Sequence, residues 1–127
     1  YLTGQQLLER LRAGGCVIFF RHFHTNHAKW HEDPIKAHHA EMTEDDFKTS
    51  GDQQRHLTDY GRKRAADVGE MMRRLRIPVG KLYSSPYVRT MESARLLVGR
   101  EPDATPYALV YRGGNRTAEM MGKDLIP

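Results

Sequence analysis

A continuous run of apolar residues, CVIFF, occupies positions 16–20 and ends at an arginine. Its apolar residues do not alternate with polar ones, so both faces of a strand here would have to be covered, as in a parallel sheet. We therefore predict a buried strand over residues 16–21. Helices on both faces could cover such a sheet, and this arrangement favours the α/β class.

Helical and strand-like segments alternate along the chain, in agreement with that class. A helix is predicted over residues 3–13, where Thr3 and Gln6 form a capping box. A second helix is predicted over residues 58–76, in which Ala65, Val68, Met72 and Leu75 lie on one stripe. A strand over 81–84 is followed by a helix that Ser85 caps, with Pro86 at its first position, and that runs to Val98 and ends at Gly99. A strand over Tyr107 to Tyr111 and a helix near Thr117 are also predicted. Together they predict a three-layer α/β/α domain with a mostly parallel sheet, and 127 residues suit a single domain over 1–127.

The composition narrows the class of function. Charged residues make up 28% of the chain and apolar residues 39%, which fits neither a disordered protein nor a membrane protein. The basic residues are scattered and form no stripe with aromatic residues, so we expect no nucleic-acid partner and no membrane partner. The net charge of +4 favours small anionic substrates.

Residues 23–56 differ from the rest of the chain. They hold six of the seven histidines together with many acidic residues, and few apolar ones. We predict a long loop or insertion here, with a short helix near 41–48. Loops of this length are often functional.

Arginines follow two of the predicted strands directly. Arg21 and His22 come at the end of the first strand, and Arg89 lies in the first turn of the helix after LYSSP. In α/β sheets ligands bind at the carboxyl ends of the strands, and two guanidinium groups suit a tetrahedral phosphate. A neutral imidazole beside that phosphate can act as a nucleophile. On its own, an Arg-His pair after a strand is more often a surface feature.

Three blocks of the sequence together resemble the histidine phosphatase superfamily, which includes phosphoglycerate mutases and acid phosphatases. The blocks are FFRHFHT at 19–25, RHLTDYGRKRA at 55–65 and LYSSPYVRTMESARLL at 82–97. The stretch IPVGKLYSSPYVRTMESA is similar to a bacterial branch whose members are often exported. The compartment stays unknown, with exported (periplasmic) and cytoplasmic as the two alternatives. The resemblance implies a phosphoglycerate mutase-like fold and a phosphohistidine intermediate, with no metal or other cofactor.

The resemblance also implies a role for each matching residue. His22 would be the nucleophile, and Arg21 and Arg89 would bind the phosphate. These three residues would form the catalytic set. Thr25 would contribute to substrate binding from the loop after the strand. Gly61 would permit close packing at the start of the long helix.

Two departures from the family pattern bear on activity. Phe23 stands where the family usually has Gly or Ala. No histidine follows His56, although the family carries a second catalytic histidine on a later strand. The predicted domain therefore lacks the final strand and helix of the family fold and is incomplete at its C-terminus, or a second chain completes the sheet through a dimer or strand exchange.

The general acid and two other functions stay open. The candidate acids are Glu32, Asp33, Glu41, Glu44, Asp45, Asp46 and Glu119. We expect a phosphatase acting on a small phosphorylated substrate, because no equivalents of the longer mutase loops are present. One alternative is a non-catalytic protein that binds phosphate or a phospholigand. The other is a metal site in the histidine-rich loop, from His22, His24, His27, His31, His38 and His39.

Overall fold

The computed structural model of the chain describes residues 1–26 and 54–105. Its elements follow in the order α1 (Gly4–Ala13), α2 (Asp59–Arg74), β1 (Tyr83–Ser84), α3 (Val88–Val98) and β2 (Asp103–Ala104). β1 and β2 pair in parallel, with Tyr83 opposite Asp103 and Ser84 opposite Ala104. A helix between two parallel strands is the repeating unit of α/β folds, so the described part agrees with the predicted class. The larger three-layer sheet stays a prediction.

The first helix begins as its capping residues predict. The Thr3 hydroxyl accepts a hydrogen bond from the Gln6 N–H at 3.2 Å, and the Gln6 side chain accepts one from the Thr3 N–H at 2.9 Å. This capping box satisfies two N–H groups that a helix start leaves open. The Arg12 Nε donates to the Leu75 carbonyl at 2.7 Å, which ties α1 to the end of α2.

The core of the described part lies between α2 and α3. Ala65 of α2 is fully buried and Leu97 of α3 is 5% exposed. A Cβ added at Gly69 would meet the Leu97 carbonyl, so the two helix backbones approach closely at this point. An ion pair between Arg62 Nε and Glu92 Oε1, at 2.6 Å, joins the same helices nearer the start of α2.

The second helix ends in a Schellman motif that holds an arginine at its left-handed position. The Arg76 N–H donates to the Arg73 carbonyl and the Ile77 N–H to the Met72 carbonyl, each at 3.0 Å. Arg76 has φ +57°, which is the conformation that glycine usually supplies in this motif.

The prediction of a buried, paired strand over residues 16–21 is wrong for the described part of the chain. Val17 is 66% exposed and Phe19 is 74% exposed. No strand over these residues is present, and no hydrogen bond between described residues joins their backbone to β1 or β2. An apolar run shows that a segment needs cover, but the strands that would cover it are distant in sequence and are not specified by the run.

The third helix begins later than Ser85 and Pro86 predict. Its N-cap is Tyr87, whose side chain makes no capping hydrogen bond. The Val88 N–H donates instead to the side-chain oxygen of Gln54 at 2.8 Å. A side chain 34 residues earlier therefore supplies the acceptor that a local cap would have supplied.

The buried face of α3 also differs from the predicted one. Helical spacing in the sequence predicts Val88, Met91, Ala94 or Arg95, and Val98 as the inward residues, whereas the buried residues are Arg89, Ser93 and Leu97. The face is polar at its start because there it turns toward the segment that holds His22, as the contacts below show. Gly99 ends the helix in the left-handed conformation, as predicted.

Several predicted elements lie outside the described residues. They are most of the 23–56 loop with its short helix, the strand over Tyr107 to Tyr111 and the helix near Thr117. Among the described residues, no helix is both long and apolar enough to span a membrane.

Candidate active site

Three segments converge around His22. Thr25 pairs with Leu57 in an antiparallel bridge, which joins the segment after His22 to residues 54–57. The Gln54 side chain binds the start of α3, where Arg89 lies. The backbone thus brings together the two arginine-bearing regions that the sequence predicted, and adds a third segment between them.

His22 is held as a neutral imidazole with a defined tautomer. Its Nδ1 lies 2.7 Å from the Phe23 carbonyl oxygen. Because a carbonyl only accepts, Nδ1 carries the proton and Nε2 keeps its lone pair. The site therefore presents Nε2 as the nucleophilic atom.

The surroundings of His22 lower its pKa from the ordinary value of 6.5 to about 4. Burial is the largest cause, because it penalises the charged imidazolium. The hydrogen bond to Phe23 acts in the opposite direction, and the positive charges of Arg89, Arg21 and Arg55 lower the pKa further. Within residues 1–26 and 54–105, the charged groups that act on His22 are arginines, so this part of the site is positive and suits an anion.

Arg89 is held rigidly in the first turn of α3. It is 8% exposed, and its guanidinium carbon lies 4.0 Å from the centre of the Tyr87 ring. Stacking on an aromatic ring restricts the planar guanidinium to few orientations. Arg21 is exposed, and its charge also acts on His22.

The Ser93 hydroxyl couples the His22 segment to α3. It accepts a hydrogen bond from the Phe23 N–H at 3.0 Å and donates one to the Arg89 carbonyl at 2.7 Å. Phe23 thus uses its N–H to bind α3 and its carbonyl to orient His22. Both contacts come from the main chain, so the bulky side chain at this position, where the family usually has Gly or Ala, does not prevent them.

Thr25 lies in the interior and is fully buried. Its hydroxyl has no hydrogen-bond partner among the described residues. Its backbone pairs with Leu57 and so fixes the distance between His22 and residues 54–57. Direct contact of Thr25 with substrate stays a prediction.

Gly61 has the packing role predicted for it. A Cβ at this position would collide with the His24 carbonyl oxygen. The Thr58 N–H donates to that same oxygen at 3.0 Å. The start of α2 therefore packs closely against the backbone of His24, two residues after His22.

Three residues of the site were missed in the sequence. Gln54 and Arg55 lie in a region that the composition marked only as loop, and they are 4% and 5% exposed. Ser93 follows Arg89 by four residues on one helix face, and this spacing was the signal that could have found it. Arg55 opens the block RHLTDYGRKRA, but the resemblance assigned it no role.

The metal alternative falls largely outside the described residues, because His27, His31, His38 and His39 do. Over 1–26 and 54–105, no group of three or more His, Cys, Asp or Glu side chains is placed to hold a metal ion.

Comparison with known proteins gives one match. The family model described as histidine phosphatase superfamily (branch 1) matches residues 19–108, which is more than two thirds of the chain. The match includes His22, Arg55 and Arg89. No curated protein and no solved structure matches the chain.

Proposed function

The chain belongs to the histidine phosphatase superfamily, and from this membership we propose that it is a phosphomonoesterase that works through a phosphohistidine intermediate. His22 is the nucleophile, and Arg21 and Arg89 bind the phosphoryl group. The substrate is a small phosphorylated molecule.

The observation that carries the proposal is the state of His22. A histidine with a pKa of about 4 is neutral at physiological pH, and its Nδ1 proton is engaged by the Phe23 carbonyl. Nε2 is therefore available for attack on phosphorus without prior deprotonation. The arginine charges that disfavour imidazolium also favour a phosphate dianion in the same place.

The reaction proceeds in two displacements. Nε2 of His22 attacks the phosphorus in line, and an N–P bond forms as the P–O bond to the leaving group breaks. The leaving oxygen takes up a proton from an acid or from water. Water then attacks the phosphohistidine, the N–P bond breaks, and the imidazole and inorganic phosphate are released. The guanidinium groups stabilise the equatorial oxygens in both steps, and each hydrogen bond to a charged group contributes about 1.5–3 kcal/mol.

A second candidate is a phosphate-binding protein without turnover. The observation that favours it is that no carboxylate among the described residues acts on the pKa of His22. The charged groups among the described residues that act on His22 are arginines, which suit binding of a phosphate.

Hydrolysis of p-nitrophenyl phosphate by the wild-type chain and by His22→Ala separates these candidates. We expect turnover that His22→Ala abolishes, and an acid-labile, alkali-stable phosphoryl group on the wild-type protein. His24→Ala is the matched control, because His24 is exposed and lies two residues away; its turnover should stay within about threefold of wild type, since its ring contacts Thr58 and Tyr60 rather than His22. Phosphate binding without turnover in the wild-type chain would support the second candidate and reject the enzyme.

A further inference from the structure

Residues 54–57 contact the start of α3 at one end and the segment after His22 at the other. At one end the Gln54 side chain accepts the Val88 N–H at 2.8 Å, one residue before Arg89. At the other end Leu57 pairs with Thr25, three residues after His22. Arg55 lies between these two attachments, so its backbone position is defined by the same contacts that define the site.

The side chain of Arg55 is turned into the protein. The residue is 5% exposed, which is less than the 8% of Arg89. An arginine on a connecting segment normally extends into water, because burial of its charge is costly. Here the residue is buried on a segment joined to both parts of the site, and its charge acts on the His22 imidazole together with those of Arg21 and Arg89.

Like charges gathered around one point repel one another, and the repulsion grows as they are buried. An anion at that point converts the repulsion into attraction. A phosphoryl group presents three non-bridging oxygens, and each can accept hydrogen bonds from a guanidinium. Among the described residues, the three arginines that act on His22 could each bind one of these oxygens.

We propose that Arg55 is a third guanidinium ligand of the phosphoryl group that binds beside His22, presented by residues 54–57. The inference rests on the proposed phosphate site, but it does not require turnover. Because the site then holds three positive charges, it selects phosphomonoester dianions over phosphodiester monoanions.

The test is inorganic phosphate binding by calorimetry to the full chain and three variants. Arg55→Gln should weaken binding roughly 10- to 100-fold, as loss of a charge-assisted hydrogen bond does. Arg55→Lys keeps the charge but loses the planar fork, so its affinity should lie between those of Arg55→Gln and wild type. Arg64→Gln is the matched control, because it removes the same charge from an exposed position of α2; its affinity should stay within about twofold of wild type, because exposed charges are screened.

A measurement on the wild-type protein covers the case in which Arg55→Gln does not fold. The arginine Nε–H signals are followed by NMR as phosphate is added, and we expect the Arg55 signal to shift with those of Arg21 and Arg89 while Arg64 stays in place. An unmoved Arg55 signal, or wild-type affinity in a folded Arg55→Gln, overturns this inference and leaves His22-dependent turnover untouched. Loss of binding in Arg55→Gln without turnover in the wild type supports the inference and rejects the enzyme. A wild-type chain that binds no phosphate overturns both.

Discussion

The Ser93 hydroxyl is the link between α3 and the peptide that orients His22, so we predict that Ser93→Ala weakens both the fold and the reaction. Ser93 is 6% exposed, and its hydroxyl is the acceptor of the Phe23 N–H. The Arg89 carbonyl loses little in the variant, because it remains within the hydrogen-bonded α3. The main energetic cost of Ser93→Ala is therefore that the Phe23 N–H loses its acceptor.

The magnitude follows from that single donor. A buried N–H left without an acceptor costs about 1–3 kcal/mol. Phe23 is half-buried, and water can partly replace the hydroxyl, so we expect the free energy of unfolding to fall by about 1–2 kcal/mol. If the same energy is what holds Phe23 in the position that orients His22, kcat should fall roughly 5- to 30-fold, with little change in KM.

The assay combines urea unfolding with hydrolysis of p-nitrophenyl phosphate, and the ¹⁵N shifts of His22 report its tautomer directly. Ser84→Ala is the control, because Ser84 is equally buried at 6% but its hydroxyl only donates to the neighbouring Ser85 carbonyl. It leaves no N–H without an acceptor, so we expect a loss below about 1 kcal/mol and unchanged kcat. Equal effects of the two substitutions would refute the reasoning. A Ser93→Ala protein that is less stable yet retains kcat and the Nδ1–H tautomer would refute the link to His22.

Three further predictions concern single positions. The His22 ring should titrate in NMR with a midpoint near pH 4. Because this pKa lies below the value of 6.5 expected in the unfolded chain, the stability that His22 contributes is complete above pH 6.5 and is lost as the pH falls toward 4. A midpoint near 6.5 would contradict the described burial of His22. Gly61→Ala should lower the free energy of unfolding in urea by about 2–3 kcal/mol, because the new Cβ meets the His24 carbonyl. Gly80→Ala is the control and should change it by less than about 1 kcal/mol, because the space around its Cβ is open. Equal losses would argue against the close approach of Gly61 to His24. Arg76→Gly should raise the free energy of unfolding by about 0.5–1 kcal/mol, because glycine adopts φ +57° without the steric cost that arginine bears; an unchanged or lower urea midpoint would show that Arg76 is not strained.

The first two helices could be predicted from the sequence because their signals are local. Thr3 and Gln6 lie within one turn of each other, and Thr58 caps α2 through the Gly61 N–H at 3.1 Å. The start of α3 could not be predicted in the same way. Ser85 and Pro86 form a plausible local cap, but the acceptor that the structure uses belongs to Gln54. The buried strand over 16–21 failed for a related reason, because the cover of a strand comes from segments that are distant in sequence.

The same distinction separates the predicted part of the site from the missed part. Arg21, His22 and Arg89 each lie next to the end of a predicted element, which made them candidates. The roles proposed for them came from the resemblance of three sequence blocks to the histidine phosphatase superfamily. Arg55 and Leu57 stand in the block RHLTDYGRKRA and Thr25 in FFRHFHT, but the blocks do not show which of their residues meet in space. The position of Arg55 depends on the pairing of Thr25 with Leu57, which the sequence did not predict. Leu57 is 3% exposed, so Leu57→Ala removes buried packing beside this main-chain pairing and leaves every arginine in place. We therefore expect Leu57→Ala to weaken phosphate binding in the same direction as Arg55→Gln, and wild-type affinity in a folded Leu57→Ala protein would argue that this packing does not position Arg55.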